Sequence, residues 1–407
     1  VSPRQEEKPE PVDVTILGVH VKSTGYPNVT FRLRDLERAM PSRTQEINFP
    51  FRRATPHDGM WLLAWKPLKF TWSALRLAYA HLYILLAYVW HGRPRRLYVP
   101  YPSAIVLFCL SLLPKSWRPE YVVADCFISL YDTVITDRKL LSSHSLAARV
   151  LRFVESRAYR TADRIIVDTD LNAGYFVETF GLAPSKIISL PLSIDADSFQ
   201  PAPYQPRGDS CTVLFIGTFV PLQGVDIIAR AALALESRQN VRFRLIGSGQ
   251  TADAVERIFA NRRPANLEWI TRWKDSESLA REIRDADICL GIFGAGAKTQ
   301  RVWPLKNYAY MAVGRAIITG NTLQARRMQQ QADAAPFMTV PQGDPVALAS
   351  AITELAGDPE RRRQYAENAR SYYEKHLSPK TALEQIILQF THTSNAVISP
   401  HSRNLQP

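Results

Sequence analysis

A chain of 407 residues with 46% hydrophobic side chains carries enough apolar material for about two to three cored domains, which excludes a disordered or fibrous class. Four cysteines (Cys109, Cys126, Cys211, Cys289) lie in or beside apolar runs without a CxxC pair, and eight histidines show no HxxxH spacing, so a disulfide scaffold and a zinc site find no support. The net charge of +12 suits nucleic acid, an anionic membrane surface or a phosphorylated substrate, and the buried thiols point to a reducing, cytoplasmic compartment.

In chain order, residues 1–12 (VSPRQEEKPEPV) are polar and read as a loose start without a signal peptide. A strand at 13–19 leads into the loop GVHVKSTGYPNVTF and a helix at 28–40. Residues 52–97 mix Trp61, Trp65, Trp72 and Trp90 with Arg52, Arg53, Lys66, Lys69, Arg76, Arg93, Arg95 and Arg96. Within them, 71–90 (TWSALRLAYAHLYILLAYVW) approaches the length of a membrane span, but Arg76, His81 and the mid-run tyrosines oppose one. A peripheral amphipathic helix on an anionic membrane and a core helix with a basic flank both stay open.

Strands at 97–100, 121–124, 164–168 and 187–190 alternate with helices at 145–160 and 172–180. The Pro-rich, aperiodic stretch QPAPYQPRGDS then marks a linker, and the pattern restarts. Strands at 212–217, 242–246, 267–271, 287–292, 316–319 and 337–340 alternate with helices at 224–237, 252–262, 276–285, 304–313, 323–331, 345–356 and 359–376. Such alternation predicts α/β architecture: two Rossmann-like doubly wound domains, 1–205 and 206–376, facing each other across a cleft. A helix at 377–391 is expected to pack back on the first domain, ahead of a loose tail at 392–407.

The stretch FGAGAKTQRVWPLKNYAYMAVGRAII sets Lys298, Arg301 and Lys306 around Pro304, at a predicted helix start. Proline is pre-shaped for a first helical position, and a helix N-terminus favours anions; three added cations point to phosphate rather than to a solvated turn. Lys298 and Arg301 are expected to matter most, and Lys306, inside the helix, least. The DxD-like pairs at Asp168/Asp170 and Asp285/Asp287 read as strand-edge and capping carboxylates, and no metal is expected.

The run VLFIGTFVPLQGVDIIARAA, FRLIGSGQ, LEWI, IRDADICLGIFG, PLKNYAYMAVGRAIIT resembles the donor-binding half of the GT-B glycosyltransferases, in particular the large retaining family of bacterial mannosyl- and glucosyltransferases. The resemblance covers about 210–375 closely and is only topological before residue 120. It implies a nucleotide-diphosphate sugar donor, a hexosyl transfer with retention, and a glycan or lipid-linked acceptor in bacterial surface polysaccharide or glycolipid synthesis. It points to donor contacts at Gly217, Thr218, Gln223, Gly247, Arg272, Trp273, Ala297, Thr299, Val302 and Lys306 and to a sugar contact at Asp125, while the cationic stretch itself gives Lys298 and Arg301 the charge role in the chemistry. Lys22, Ser23, Thr24 and Asp132 fall on the acceptor side.

Three departures mark a divergent branch. Thr218 and Gln223 stand near the places of the family's Arg and Lys, Arg301 and Ala309 stand where it has a Glu-x7-Glu pair, and Asp125 stands where it often has a His. An inactive partner subunit and a nucleotide-sugar epimerase are the alternatives. A nucleic-acid binder is permitted by charge, but no recognised module is present, so nucleic acid is not an expected partner.

Overall fold

The computed structural model describes residues 14–20, 22, 27–40, 43–49, 67–206, 208, 210–259 and 263–391. The first sheet joins β1 (Val14–Gly18), β2 (Thr44–Asn48), β3 (Arg96–Val99), β4 (Tyr121–Asp125), β5 (Arg164–Val167) and β6 (Ile187–Ser189) in the order β2-β1-β3-β4-β5-β6. The second joins β7 (Cys211–Ile216), β8 (Val241–Ile246), β9 (Leu267–Ile270), β10 (Ile288–Leu290), β11 (Ala316–Gly320) and β12 (Met338–Val340) in the order β12-β11-β10-β7-β8-β9. Every pairing is parallel. Central strands such as β3 and β10 bury both faces, which is why they read as unbroken apolar runs.

Helices cover both faces of each sheet. In the first domain α1 (Pro27–Ala39) lies on one face, and α2 (Pro67–Trp90), α3 (Ala104–Leu112), α4 (Leu146–Thr161) and α5 (Asp170–Phe180) pack on the other. In the second, α6 (Val225–Ala234) and α7 (Ala252–Ile258) share a face with α11 (Pro345–Gly357). The opposite face carries α8 (Ser276–Asp285), α9 (Leu305–Val313), α10 (Leu323–Gln331) and α12 (Pro359–Tyr372). The last helix, α13 (Pro379–Thr391), returns to the first domain, where Ala382, Ile386 and Phe390 pack with Val29, Leu33 and Leu36 of α1.

The chain leaves β1 and β3 toward opposite faces, and does the same at β7 and β10. Each sheet therefore has a switch point, and in open α/β sheets such points hold ligands.

Three features differ from the sequence expectation. Strand β2 (TQEIN) is too polar to stand out; it is an edge strand with mainly Ile47 buried. Helix α3 (AIVLFCLSL) has no polar face to give it a helical period. Pro304 is the N-cap of α9 rather than its first helical residue: its ψ of 149° is extended, and its carbonyl accepts from the Asn307 amide at 2.9 Å. Among the described residues no helix is long and apolar enough to cross a membrane. The core and peripheral readings of 71–90 meet in α2, which buries Ala80, Ile84 and Tyr88 but leaves Trp72, Leu86 and Trp90 exposed.

Candidate active site

At the switch point of the second sheet the loops leaving β7 and β10 touch. The amide of Phe293 donates to the Gln223 carbonyl at 3.1 Å, and that of Gly294 to Leu222 at 3.3 Å. Glycine is required there: Gly224 has a φ of +64°, and a Cβ on it would lie 2.6 Å from the Gly294 nitrogen. The loop after β8 closes on the same place, because a Cβ on Gly247 would meet the Gly217 carbonyl oxygen at 1.9 Å. Trp269 fixes this loop by donating Nε1–H to the Gly247 carbonyl at 2.8 Å, with its ring stacked on Phe219.

Lys306, in the first turn of α9, points into this junction. Its Nζ donates to Gln223 Oε1 at 2.6 Å and sits 3.6 Å from the centre of the Phe215 ring. A Cβ on Gly217 would lie 3.6 Å from the same Nζ. No ion pair to a carboxylate is formed by Lys306 among the described residues, and the protein packed around the amine pushes its pKa well below the ordinary lysine range. A desolvated amine held by a neutral amide and a ring face gains most from an incoming anion, because charge attraction is strongest where water is excluded.

Lys298 and Arg301 behave differently. Both face the first domain, and both pair with Asp132, which is buried with them. Lys298 Nζ lies 3.3 Å from Asp132 Oδ2 and donates to Thr133 Oγ1 at 3.2 Å. The guanidinium of Arg301 lies 3.9 Å from the centre of the Tyr175 ring, and its backbone carbonyl accepts from Thr169 Oγ1 at 2.5 Å. Two more carboxylates stand close. Burial raises Asp168 to about 6, against the opposing effects of a hydrogen bond from Asn172 and the charges of Lys298 and Arg301. Burial also raises Asp137, with the Lys298 charge opposing it. The expected phosphate cations and the expected acceptor residue Asp132 thus form one knot across the domain boundary.

Asp125 is buried in an ion pair, with Oδ2 2.7 Å from Arg32 Nη1 and accepting from the Tyr98 hydroxyl at 3.3 Å. Arg32 also donates to the Pro191 carbonyl at 2.5 Å, tying α1 to the segment after β6. In this arrangement Asp125 faces Arg32 rather than open space; its Oδ1 has no hydrogen-bond partner in the protein. Lys22 is paired with Glu37 and Glu46, at 3.0 and 2.8 Å. Ser23 and Thr24 lie outside the described residues.

The remaining expected donor residues split by environment. Thr218, Arg272 and Ala297 are exposed, Trp273 is half-buried, and Thr299 and Val302 are buried. Thr299 Oγ1 has no hydrogen-bond partner in the protein. Ala309, at the family's second Glu place, is buried among α9 neighbours. Of the DxD-like carboxylates, Asp287 anchors the linker, accepting from the Tyr204 hydroxyl at 2.6 Å and from the Thr212 amide at 2.8 Å. Among the described residues no group of three or more His, Cys, Asp or Glu is placed to hold a metal ion.

Two features escaped the sequence reading. One is the Arg32–Asp125 pair, although Arg32 shares the buried face of α1 with Val29, Leu33 and Leu36, and a cation there implies a buried partner. The other is His20, fully buried after β1, whose Nε2 meets Glu46 Oε1 at 2.9 Å. Glu46 belongs to the strand that was missed, so this contact had no legible partner.

Comparison with known proteins agrees with this frame. Residues 210–358 match the family described as Glycosyl transferases group 1. A D-inositol 3-phosphate glycosyltransferase 2 from Catenulispora acidiphila is 26% identical over 232 residues, 53% of each chain. The chain spans about half the length of the curated relatives it matches. Sucrose-phosphate synthase from Thermosynechococcus elongatus superposes with a TM-score of 0.69 at 14% identity, over 94% of this chain and 99% of that one. The Anabaena HepE protein in complex with UDP-glucose does so with 0.66 at 14% identity, over 94% and 100%. These solved structures share the fold across both domains, and the family match covers residues 210–358.

Proposed function

We propose that this chain, a GT-B protein with a glycosyl transferase group 1 domain, moves a hexose from a nucleotide-diphosphate sugar to a glycan or lipid-linked acceptor. The observation that carries the reading is Lys306. It is a desolvated amine without a carboxylate partner among the described residues, at the junction of the loops after β7 and β10, where an incoming diphosphate would favour its charged form. Negative charge builds on the departing diphosphate as the sugar–oxygen bond breaks, and a cation fixed at that place lowers the barrier. Lys298 and Arg301 form a second line, each held by Asp132. A diphosphate carries more charge than one carboxylate and competes with it for both.

The solved neighbour that holds UDP-glucose supports a nucleotide-sugar donor. Retention, a role in surface polysaccharide or glycolipid synthesis, peripheral contact with an anionic membrane and independence from metal complete the proposal. The inactive-partner reading keeps one observation, the Arg301 and Ala309 that stand at the family's glutamate places.

A thermal-shift screen with UDP, GDP, dTDP, ADP and their sugars tests the proposal. A ligand at a hundred times its Kd stabilises the folded state by about 2.7 kcal/mol. The expected result is a raised Tm with one nucleotide series, lost in Lys306→Met. No shift with any of them contradicts the donor reading and favours the inactive partner.

A further inference from the structure

The outer surface of the helical layer α2–α3–α4 is the most apolar exposed surface described. Along α2, Trp72, Leu75, Tyr79, Leu82, Leu86 and Trp90 are all exposed, at intervals of three and four residues. Such intervals place side chains on one face of a helix. On α4, Leu146, Val150 and Phe153 repeat the pattern, also exposed. Helix α3 packs between the two and ends on the exposed Leu112. The inward faces of the layer are satisfied in the core, so these outward residues are surplus to folding.

Charge on this surface has one sign. Helices α2, α3 and α4 contain a single carboxylate, Glu155, and it is buried, taking hydrogen bonds from Ser129, Leu130, Tyr131 and Tyr159. The cations are exposed: Arg76 on α2, Arg149 and Arg152 on α4, and Arg93 beside the half-exposed Trp117, 5.4 Å from its ring centre. Two copies of the chain meeting through this face would oppose cation to cation with no exposed carboxylate on these helices to offset them. A bilayer of anionic lipid supplies both what the apolar stripe and what the arginines lack.

We propose that the outer face of α2, α3 and α4 docks the protein on an anionic lipid surface, with the α2 and α4 stripes entering the headgroup boundary. This rests on the peripheral membrane contact in the proposed function, names the surface that makes it, and does not depend on the transfer chemistry. Flotation of the full chain with phosphatidylcholine vesicles, with and without phosphatidylglycerol, needs neither donor nor acceptor, so its outcome is separate from that of the nucleotide screen.

The expected result is binding to the anionic vesicles only, weakened by salt. The variants Leu82→Ser/Leu86→Ser and Val150→Ser/Phe153→Ser replace exposed side chains, so the fold is retained. Each is expected to lower vesicle partitioning by about tenfold or more. Arg149→Glu should weaken binding to anionic vesicles further at low salt than at high salt. Equal binding to both vesicle types, no binding to either, or unchanged binding by both apolar variants overturns the proposal. So does a concentration-dependent dimer in light scattering that the apolar variants abolish, since it assigns the face to a second copy.

Discussion

Arg301 of the second domain closes an ion pair on Asp132 of the first, and both side chains are buried. Lys298 shares the same carboxylate at 3.3 Å. Asp132 thus holds the domains together and neutralises cations that face the cleft, and the two roles can be separated by removing its charge.

In Asp132→Asn, two buried cations lose their partner. Breaking a buried pair by removing one member costs about 3 kcal/mol or more, so urea denaturation should show a loss of that order. The same change frees Lys298 and Arg301, so the affinity for a nucleoside diphosphate should rise several-fold by calorimetry. A variant with unchanged stability and unchanged affinity would show that Asp132 does neither.

Stability should depend on pH in two opposite ways. Glu46 is held down, from 4.5 to about 2, chiefly by its hydrogen bond with His20. A lowered carboxylate stabilises above its unfolded pKa, so this contribution fades as pH falls from 4.5 toward 2. Asp168 is raised by burial from 3.8 to about 6, so the folded state binds its proton more tightly, and stability declines as pH rises across that interval. Glu46→Gln should flatten the acid limb of the stability curve, and Asp168→Asn the limb above it. Unchanged limbs in both variants would assign the pH dependence to other groups.

How far the site was legible depends on whether the signal was local. The α/β alternation, the linker and the clustering of Lys298, Arg301 and Lys306 could be read because apolar runs and charge spacing are written along the chain. The rank of those cations could not be read. Lys298 and Arg301 meet the carboxylate of Asp132, 169 residues from Arg301 in sequence, and only the packed domains bring them together. Lys306 looked solvent-facing because it follows the helix start; its approach to Phe215 and Gln223 depends on how β7 and α9 adjoin. The same limit hid Arg32–Asp125, which joins α1 to β4.

Transfer should persist in EDTA. Protein cations stand ready for the diphosphate, and among the described residues no set of ligands suited to a metal ion is assembled. Activity abolished by EDTA and rescued by a divalent ion would overturn this.

The anomeric proton of the product, read by NMR, should show the configuration of the donor sugar. The expectation rests on the resemblance of 210–375 to the retaining family. An inverted product would place the chain with another branch of the same fold.

The most direct test of the account is the steady-state kinetics of Lys306→Met, first shown to be folded by circular dichroism. Methionine keeps most of the apolar stem packed against Phe215 and removes the amine, with its charge and its hydrogen bond to Gln223. The expected result is a fall in kcat/KM of roughly a hundredfold, about 3 kcal/mol of lost transition-state stabilisation. The loss should exceed that of Lys298→Ala, whose ammonium is already shared with Asp132. A Lys306→Met enzyme with near wild-type kcat/KM, beside a Lys298→Ala enzyme that has lost it, would contradict the assignment and return the diphosphate to the interdomain knot.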